Sequence, residues 1–167
     1  MRPDVEHRAA GPRSVRCFVL TVSDTRTAAT DTGGRTIADL LAAAGHQVIG
    51  RAIIRDDPEA VRALVLKETA GDAQVVITTG GTGISARDST YEAITSLLEK
   101  RLDGFGELFR MLSYEQIGPA AMLSRATAGL VNRRIVAALP GSEGAVRLAM
   151  EKLLIPELGH LVEQATR

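Results

Sequence analysis

Apolar positions along the chain follow two alternating rhythms. Residues 15–22, VRCFVLTV, are a near-continuous apolar run rich in β-branched side chains, which predicts a buried central strand ending at Ser23-Asp24. Ile37, Leu40, Leu41 and Ala44 then recur at helical spacing, with Gly45 placed to stop the helix. Residues 47–54 predict a second strand. Asp57-Pro58 offers an N-cap followed by proline at the first helical position, and Val61, Leu64 and Val65 would face inward. A third strand, residues 74–78, runs directly into Gly80-Gly81-Thr82-Gly83. This β-α-β-α-β order predicts an α/β fold, a three-layer α-β-α arrangement around a mostly parallel central sheet. Ligands in such folds collect in the loops at the carboxyl ends of the strands, here residues 23–34, 55–57 and 79–90.

The second half continues both rhythms. Ser89 with Glu92 three residues on has capping-box spacing, and Ile94, Leu97 and Leu98 give the following helix an apolar side. Phe105, Leu108, Phe109 and Leu112 predict a helix over 104–117. Residues 126–132 and 134–139 read as a strand pair turning near Asn132-Arg133. Pro140-Gly141-Ser142 breaks the second strand, with Ser142 suited to cap a long helix whose inward stripe is Val146, Ala149, Met150, Leu153 and Leu154. Pro156 then starts or bends a last helical piece. No internal repeat or second-domain boundary is visible: residues 1–14 read as a flexible tail and 15–167 as one domain.

Composition narrows the function classes. The 167 residues are 45% hydrophobic with only 3% aromatics, so the core must be aliphatic. Twenty basic residues balance twenty acidic ones, which argues against a nucleic-acid or membrane-surface binder while leaving room for a local anion pocket. The single cysteine, Cys17, lies within the first apolar run and reads as a small core residue; its use suits a reducing cytoplasm. No apolar run approaches the roughly 18 residues of a spanning helix, and the N-terminus lacks the apolar core of a secretory signal.

Chemical character concentrates in the three loops. Gly80-Gly81-Thr82-Gly83 after a buried strand can be a tight turn, or a place where backbone N–H groups approach a phosphate closely. It is neither a P-loop nor a GxGxxG dinucleotide turn. Asp88, at the entrance to a helix, can be a cap or a Mg²⁺ ligand beside phosphate oxygens. Asp56 presents the same choice, and with Asp57 taking the N-cap it is left without an evident structural duty. Ser23, Asp24 and Asp31 suit the first loop for turn reasons alone. Arg35 and Arg87 can meet anionic groups or simply face water. His7, His46 and His160 are scattered without metal-ligand spacing.

Taken in order, Val22-Ser-Asp24, Asp31-x-x-Gly34, Ile54-Arg-Asp56, Thr79-Gly-Gly-Thr-Gly83, Arg87-Asp-Ser-Thr90 and Leu139-Pro-Gly-Ser142 resemble the MoaB/MogA family of molybdenum cofactor biosynthesis proteins. Residues 104–118, followed by Leu123-Ser-Arg125, are nearer its MoaB branch. The resemblance runs from about residue 15 to 162; Ser89-Thr90 departs conservatively from the family's usual residues after Arg-Asp. It implies a reaction in which Mg²⁺ and ATP, the co-substrate, adenylylate the terminal phosphate of molybdopterin, with the product passed to a metal-inserting enzyme. It places metal and reacting phosphates at Asp56 and Asp88, and phosphate or pterin at Gly80, Gly81, Thr82 and Gly83. Ser23, Asp24, Ser124, Pro140, Gly141 and Ser142 would complete the pocket. It also implies a homotrimer or homohexamer. The alternatives are a non-catalytic molybdopterin-binding or scaffold protein, or nucleotide hydrolysis on the same fold.

Overall fold

The computed structural model describes residues 3–167; residues 1–2 of the expected tail, and the side chain of His7, lie outside the described residues. Strands β1 (Arg16–Val22), β2 (Gln47–Ile54), β3 (Val75–Thr79), β4 (Lys100–Arg101), β5 (Thr127–Val131) and β6 (Arg134–Leu139) form one sheet in the order β2-β1-β3-β6-β5-β4. The pairs β1–β2, β1–β3 and β3–β6 are parallel, whereas β5 is antiparallel to both β6 and β4.

Side chains alternate between the two faces of the sheet and both faces are covered, so β1 beyond Arg16 and all of β3 are buried. Cys17, Val19, Val75 and Ile77 point to one face of the sheet, while Phe18, Leu20, Val22 and Val76 point to the other. The first face is covered by α2 (Thr32–Ala43), α5 (Asp103–Ile117), α6 (Glu143–Ala149) and α7 (Ile155–Thr166). The second is covered by α3 (Pro58–Ala70) and α4 (Thr90–Leu97). This is the three-layer arrangement expected.

Local chemistry sets most element ends. Asp57 accepts the Glu59 N–H and Pro58 opens α3, while Ser142 accepts the Ala145 N–H and opens α6. Gly45 follows α2 at φ 87°, the left-handed angle that glycine adopts without steric cost. Asn132 and Arg133 turn the β5–β6 hairpin at φ 51° and 59°. Before Pro156 the backbone widens into a π turn over Met150–Leu154, because the proline ring offers no N–H and crowds the preceding turn.

Three features depart from the sequence reading. The tail expected over 1–14 contains a helix, α1 (Pro3–Ala10), lying on α7. A side chain on Gly11 would sit 2.4 Å from the Gly159 carbonyl, so this segment docks backbone to backbone. So short a helix is held by tertiary packing that leaves no local periodic trace. Residues Gly118–Leu123 form a 3₁₀ turn, and β4 is a two-residue edge strand of exposed Lys100 and Arg101 with no apolar pattern to reveal it. Leu108, whose spacing helped to predict α5, lies at its surface, 47% exposed, while Phe105 and Phe109 are buried.

Candidate functional site

The chain leaves β1 toward β2 on one side and β3 toward β6 on the other, so the crevice between the carboxyl ends of β1 and β3 is a topological switch point. A cleft of about 380 Å³ opens there, lined by Ser23, Arg26, Gly33, Gly80, Gly141 and Ser142 among others. Thr79 Oγ1 donates to the Pro140 carbonyl at 2.9 Å, tying the end of β3 to the turn after β6. Ser23 Oγ accepts the Thr25 and Arg26 N–H groups at 3.2 and 3.0 Å, leaving its hydroxyl hydrogen free to donate.

Asp31 builds the floor of this cleft. Only 2% exposed, it takes the Thr21 hydroxyl at 2.9 Å, the Gly34 N–H at 3.0 Å and the Arg51 guanidinium at 3.1 Å. One buried carboxylate thereby caps α2, ties it to β1 and holds an arginine of β2. Its first-loop position suggested a turn residue; the structure makes it a hub.

On the far side of Gly80 lie the two aspartates. A Cβ on Gly81 would meet Asp56 Oδ2 at 2.7 Å, and a Cβ on Gly83 would meet Asp88 Oδ2 at 2.6 Å. Both carboxylates therefore press against the glycine turn, whose Gly80 and Gly81 stand at φ 97° and 70°. Ser85 donates through its backbone N–H (3.3 Å) and hydroxyl (2.6 Å) to Asp88 Oδ2. Asp56 is 8% exposed and has the structural duty that sequence reading did not find. Its Oδ1 accepts the Ser89 N–H at 3.2 Å and the Ser89 hydroxyl at 2.6 Å, anchoring the start of α4. Ser89 consequently gives α4 no side-chain cap, and Glu92 pairs with Arg125, so the expected capping box does not form.

The remaining expected residues sit around this turn. Asp24 accepts the Asp56 N–H at 3.2 Å and both Nε and Nη2 of Arg87 at 2.9 and 2.6 Å. The Arg87 hydrogen bonds foremost, then the Asp56 N–H, hold its carboxyl below the usual range. Thr82 is buried within the turn. Ser124 does not line the cleft; its carbonyl accepts from Arg110 at 3.3 Å. Its neighbour Arg125 reaches the turn instead, donating from Nε to the Thr82 carbonyl at 2.9 Å and from Nη2 to the Gly83 carbonyl. Arg26 and Gly33 were not singled out from sequence, and Arg125 figured only in the Leu123-Ser-Arg125 stretch with no site role, since a loop arginine and a helical glycine carry no distinguishing local signal.

Residues 18–160 match the family model described as a probable molybdopterin binding domain. The chain belongs to this molybdenum cofactor biosynthesis family. Its members include the molybdenum cofactor biosynthesis protein B of Bacillus cereus, 52% identical over 167 residues and covering 97% of each chain. The Bacillus subtilis protein of the same name is 50% identical over 161 residues, 95% of each chain. A crystal structure of a molybdenum cofactor biosynthesis protein B superposes with a TM-score of 0.91 at 52% identity, covering 93% of this chain and 98% of that one. The tungsten cofactor synthesizing protein MoaB from Pyrococcus furiosus superposes at 0.84 with 37% identity, over 93% and 99%. The fold and the place in molybdenum cofactor biosynthesis are those of this family. No helix among the described residues is long and apolar enough to cross a membrane.

Proposed function

We propose that the protein uses Mg²⁺ and ATP to adenylylate the terminal phosphate of molybdopterin, releasing pyrophosphate. The observation supporting this is that two carboxylates far apart in sequence, Asp56 and Asp88, lie against one glycine turn beside a cleft at the switch point. In the reaction a molybdopterin phosphate oxygen bonds to the α-phosphorus of ATP while the α–β phosphoanhydride bond breaks, and pyrophosphate leaves with the bonding electrons. The attacking oxygen is already anionic, so the demand on the site is alignment and neutralisation of two polyanions.

Asp56 and Asp88 fit a hard cation. Ser85 occupies Oδ2 of Asp88, which leaves Oδ1; Ser89 and Thr90 occupy Oδ1 of Asp56, which leaves Oδ2 with a single long contact of 3.4 Å. Among the described residues no group of three His, Cys, Asp or Glu side chains is placed to cage a metal. Mg²⁺ characteristically takes one or two carboxylates and completes its shell with substrate phosphates and water, so this pair suits it. When bound, Mg²⁺ supplies neutralisation of the phosphate charge. In this reading Ser23, Arg26 and the Gly141-Ser142 turn hold molybdopterin in the cleft, and its terminal phosphate meets the α-phosphate of ATP at the Gly80–Gly83 turn, beside Asp56 and Asp88.

The assay is pyrophosphate release by the purified protein with molybdopterin, ATP and Mg²⁺. Asp56→Asn and Asp88→Asn should each lose about 10²–10³ in turnover, the scale of removing one electrostatic stabiliser, while the proteins fold. Undiminished turnover in both variants would remove the proposal. The bonds from Asp56 to Ser89 favour a second reading, a protein that holds molybdopterin without turning over ATP; tight pterin binding with no pyrophosphate release selects it. We extend the proposal to a homotrimer or homohexamer that hands its product to a metal-inserting enzyme. The exposed apolar row Leu108, Met111, Tyr114 and Ile117 along α5 supports burial against another copy.

A further inference from the structure

Three successive carbonyls of the glycine turn are tied down on their own side. The Gly81 carbonyl accepts the Thr90 N–H at 3.0 Å, and the Thr82 and Gly83 carbonyls accept from the one guanidinium of Arg125. In a planar trans peptide the N–H points opposite to its carbonyl. The N–H groups of Thr82, Gly83 and Ile84 are therefore turned away from Thr90 and Arg125, and none has a hydrogen-bond partner among the described residues.

Arg125 is itself fixed by two further contacts and by burial. Glu92 pairs with it, the Tyr91 ring lies 4.6 Å from its central carbon, and its side chain is only 25% exposed. The hydrogen bond from Arg125 foremost lowers the Glu92 carboxyl's affinity for protons, so Glu92 stays an anion and neutralises the arginine. A neutralised, forked guanidinium serves as a clamp on two carbonyls rather than as a free cation for substrate.

We propose that Arg125 is a positioning residue: by holding the Thr82 and Gly83 carbonyls it presents the Gly83 and Ile84 N–H groups as donors to the phosphate chain of a nucleoside triphosphate. This rests on the adenylyltransferase reading for the identity of the ligand. Because Asp88 abuts Gly83, a phosphate on these donors also faces a carboxylate, and its affinity depends on Mg²⁺.

The test is calorimetric binding of magnesium tripolyphosphate and of a non-hydrolysable ATP analogue to the wild type, Arg125→Ala and Arg125→Lys. The wild type should bind both. Arg125→Ala should bind about ten- to a hundredfold more weakly, the scale of losing charge-assisted hydrogen bonds, and millimolar guanidinium should restore binding. Arg125→Lys keeps the charge but not the fork, so it should remain weakened; it carries the test if the alanine variant does not fold. Binding at the wild-type level in either folded variant, absence of guanidinium rescue, or absence of triphosphate binding by the wild type would overturn the inference. Triphosphate binding that behaves as expected, without molybdopterin-dependent pyrophosphate release, would instead overturn the catalytic reading and leave the clamp standing.

Discussion

Adjacent glycines in the first turn of α2 should respond to the same substitution in opposite ways. A Cβ on Gly33 would meet the Gly141 carbonyl at 3.5 Å and the Thr79 side chain at 3.6 and 3.7 Å, all ordinary contacts. Gly33→Ala should therefore leave the fold intact and gain up to about 0.5–1 kcal/mol from reduced chain entropy. Its methyl group nevertheless sits between Thr79 and Gly141, both on the cleft wall. A Cβ on Gly34, by contrast, would lie 2.2 Å from Asp31 Oδ2 and 2.4 Å from Thr21 Oγ1, inside the 2.9 Å hydrogen bond joining them. Relieving that overlap displaces Asp31 from buried partners. Overpacking and a broken buried hydrogen bond together cost about 2–4 kcal/mol.

At this chain length each kcal/mol moves Tm by roughly 2–4 °C. Scanning calorimetry should then place Gly34→Ala about 4–16 °C below the wild type and Gly33→Ala at or slightly above it. Molybdopterin titration should show the reverse disparity between fold and function for Gly33→Ala, with affinity at least about tenfold weaker in a protein of undiminished Tm. Equal Tm losses in the two variants, or wild-type molybdopterin affinity in Gly33→Ala, would refute this assignment of the cleft.

Further outcomes follow from burial and charge. Cys17, fully buried and with its thiol pushed up to about 12 by burial, should resist a thiol reagent in the native protein and react on unfolding. His46 accepts the Val15 N–H at 3.2 Å, and burial lowers its pKa from 6.5. The unfolded chain therefore takes up this proton first, so stability is full above about pH 6.5 and declines as pH falls through that value toward the lowered one. His46→Gln should flatten this part of the Tm profile. Met111→Lys on the exposed face of α5 should reduce the mass measured by light scattering if copies pack there, without lowering the Tm of the monomer.

Much of the architecture was legible because each central strand is apolar on both faces and α2, α3 and α6 carry their own side-chain caps. Asp57 and Ser142 act where their spacing indicated, and the hairpin turns at Asn132-Arg133. What escaped was held by distant partners. The helix over Pro3–Ala10 exists against α7, and the pairing of Glu92 with Arg125 joins α4 to the segment preceding β5. Local spacing gave Ser89 and Glu92 to the same helix end, but tertiary partners claimed both. Asp56 and Asp88 stood out through loop position and type, whereas Arg125 needed the fold to bring it to Thr82 and Gly83.

Helix α4 has surrendered its own cap. The Thr90 N–H rests on the Gly81 carbonyl, and Ser89 spends its hydroxyl on Asp56. The first turn of α4 is thus fastened to the loop that would grip a nucleotide, and any tightening of that loop should slow amide hydrogen exchange along the helix. A segment that never touches the ligand would then report occupancy, visible by mass spectrometry before any chemistry is assayed.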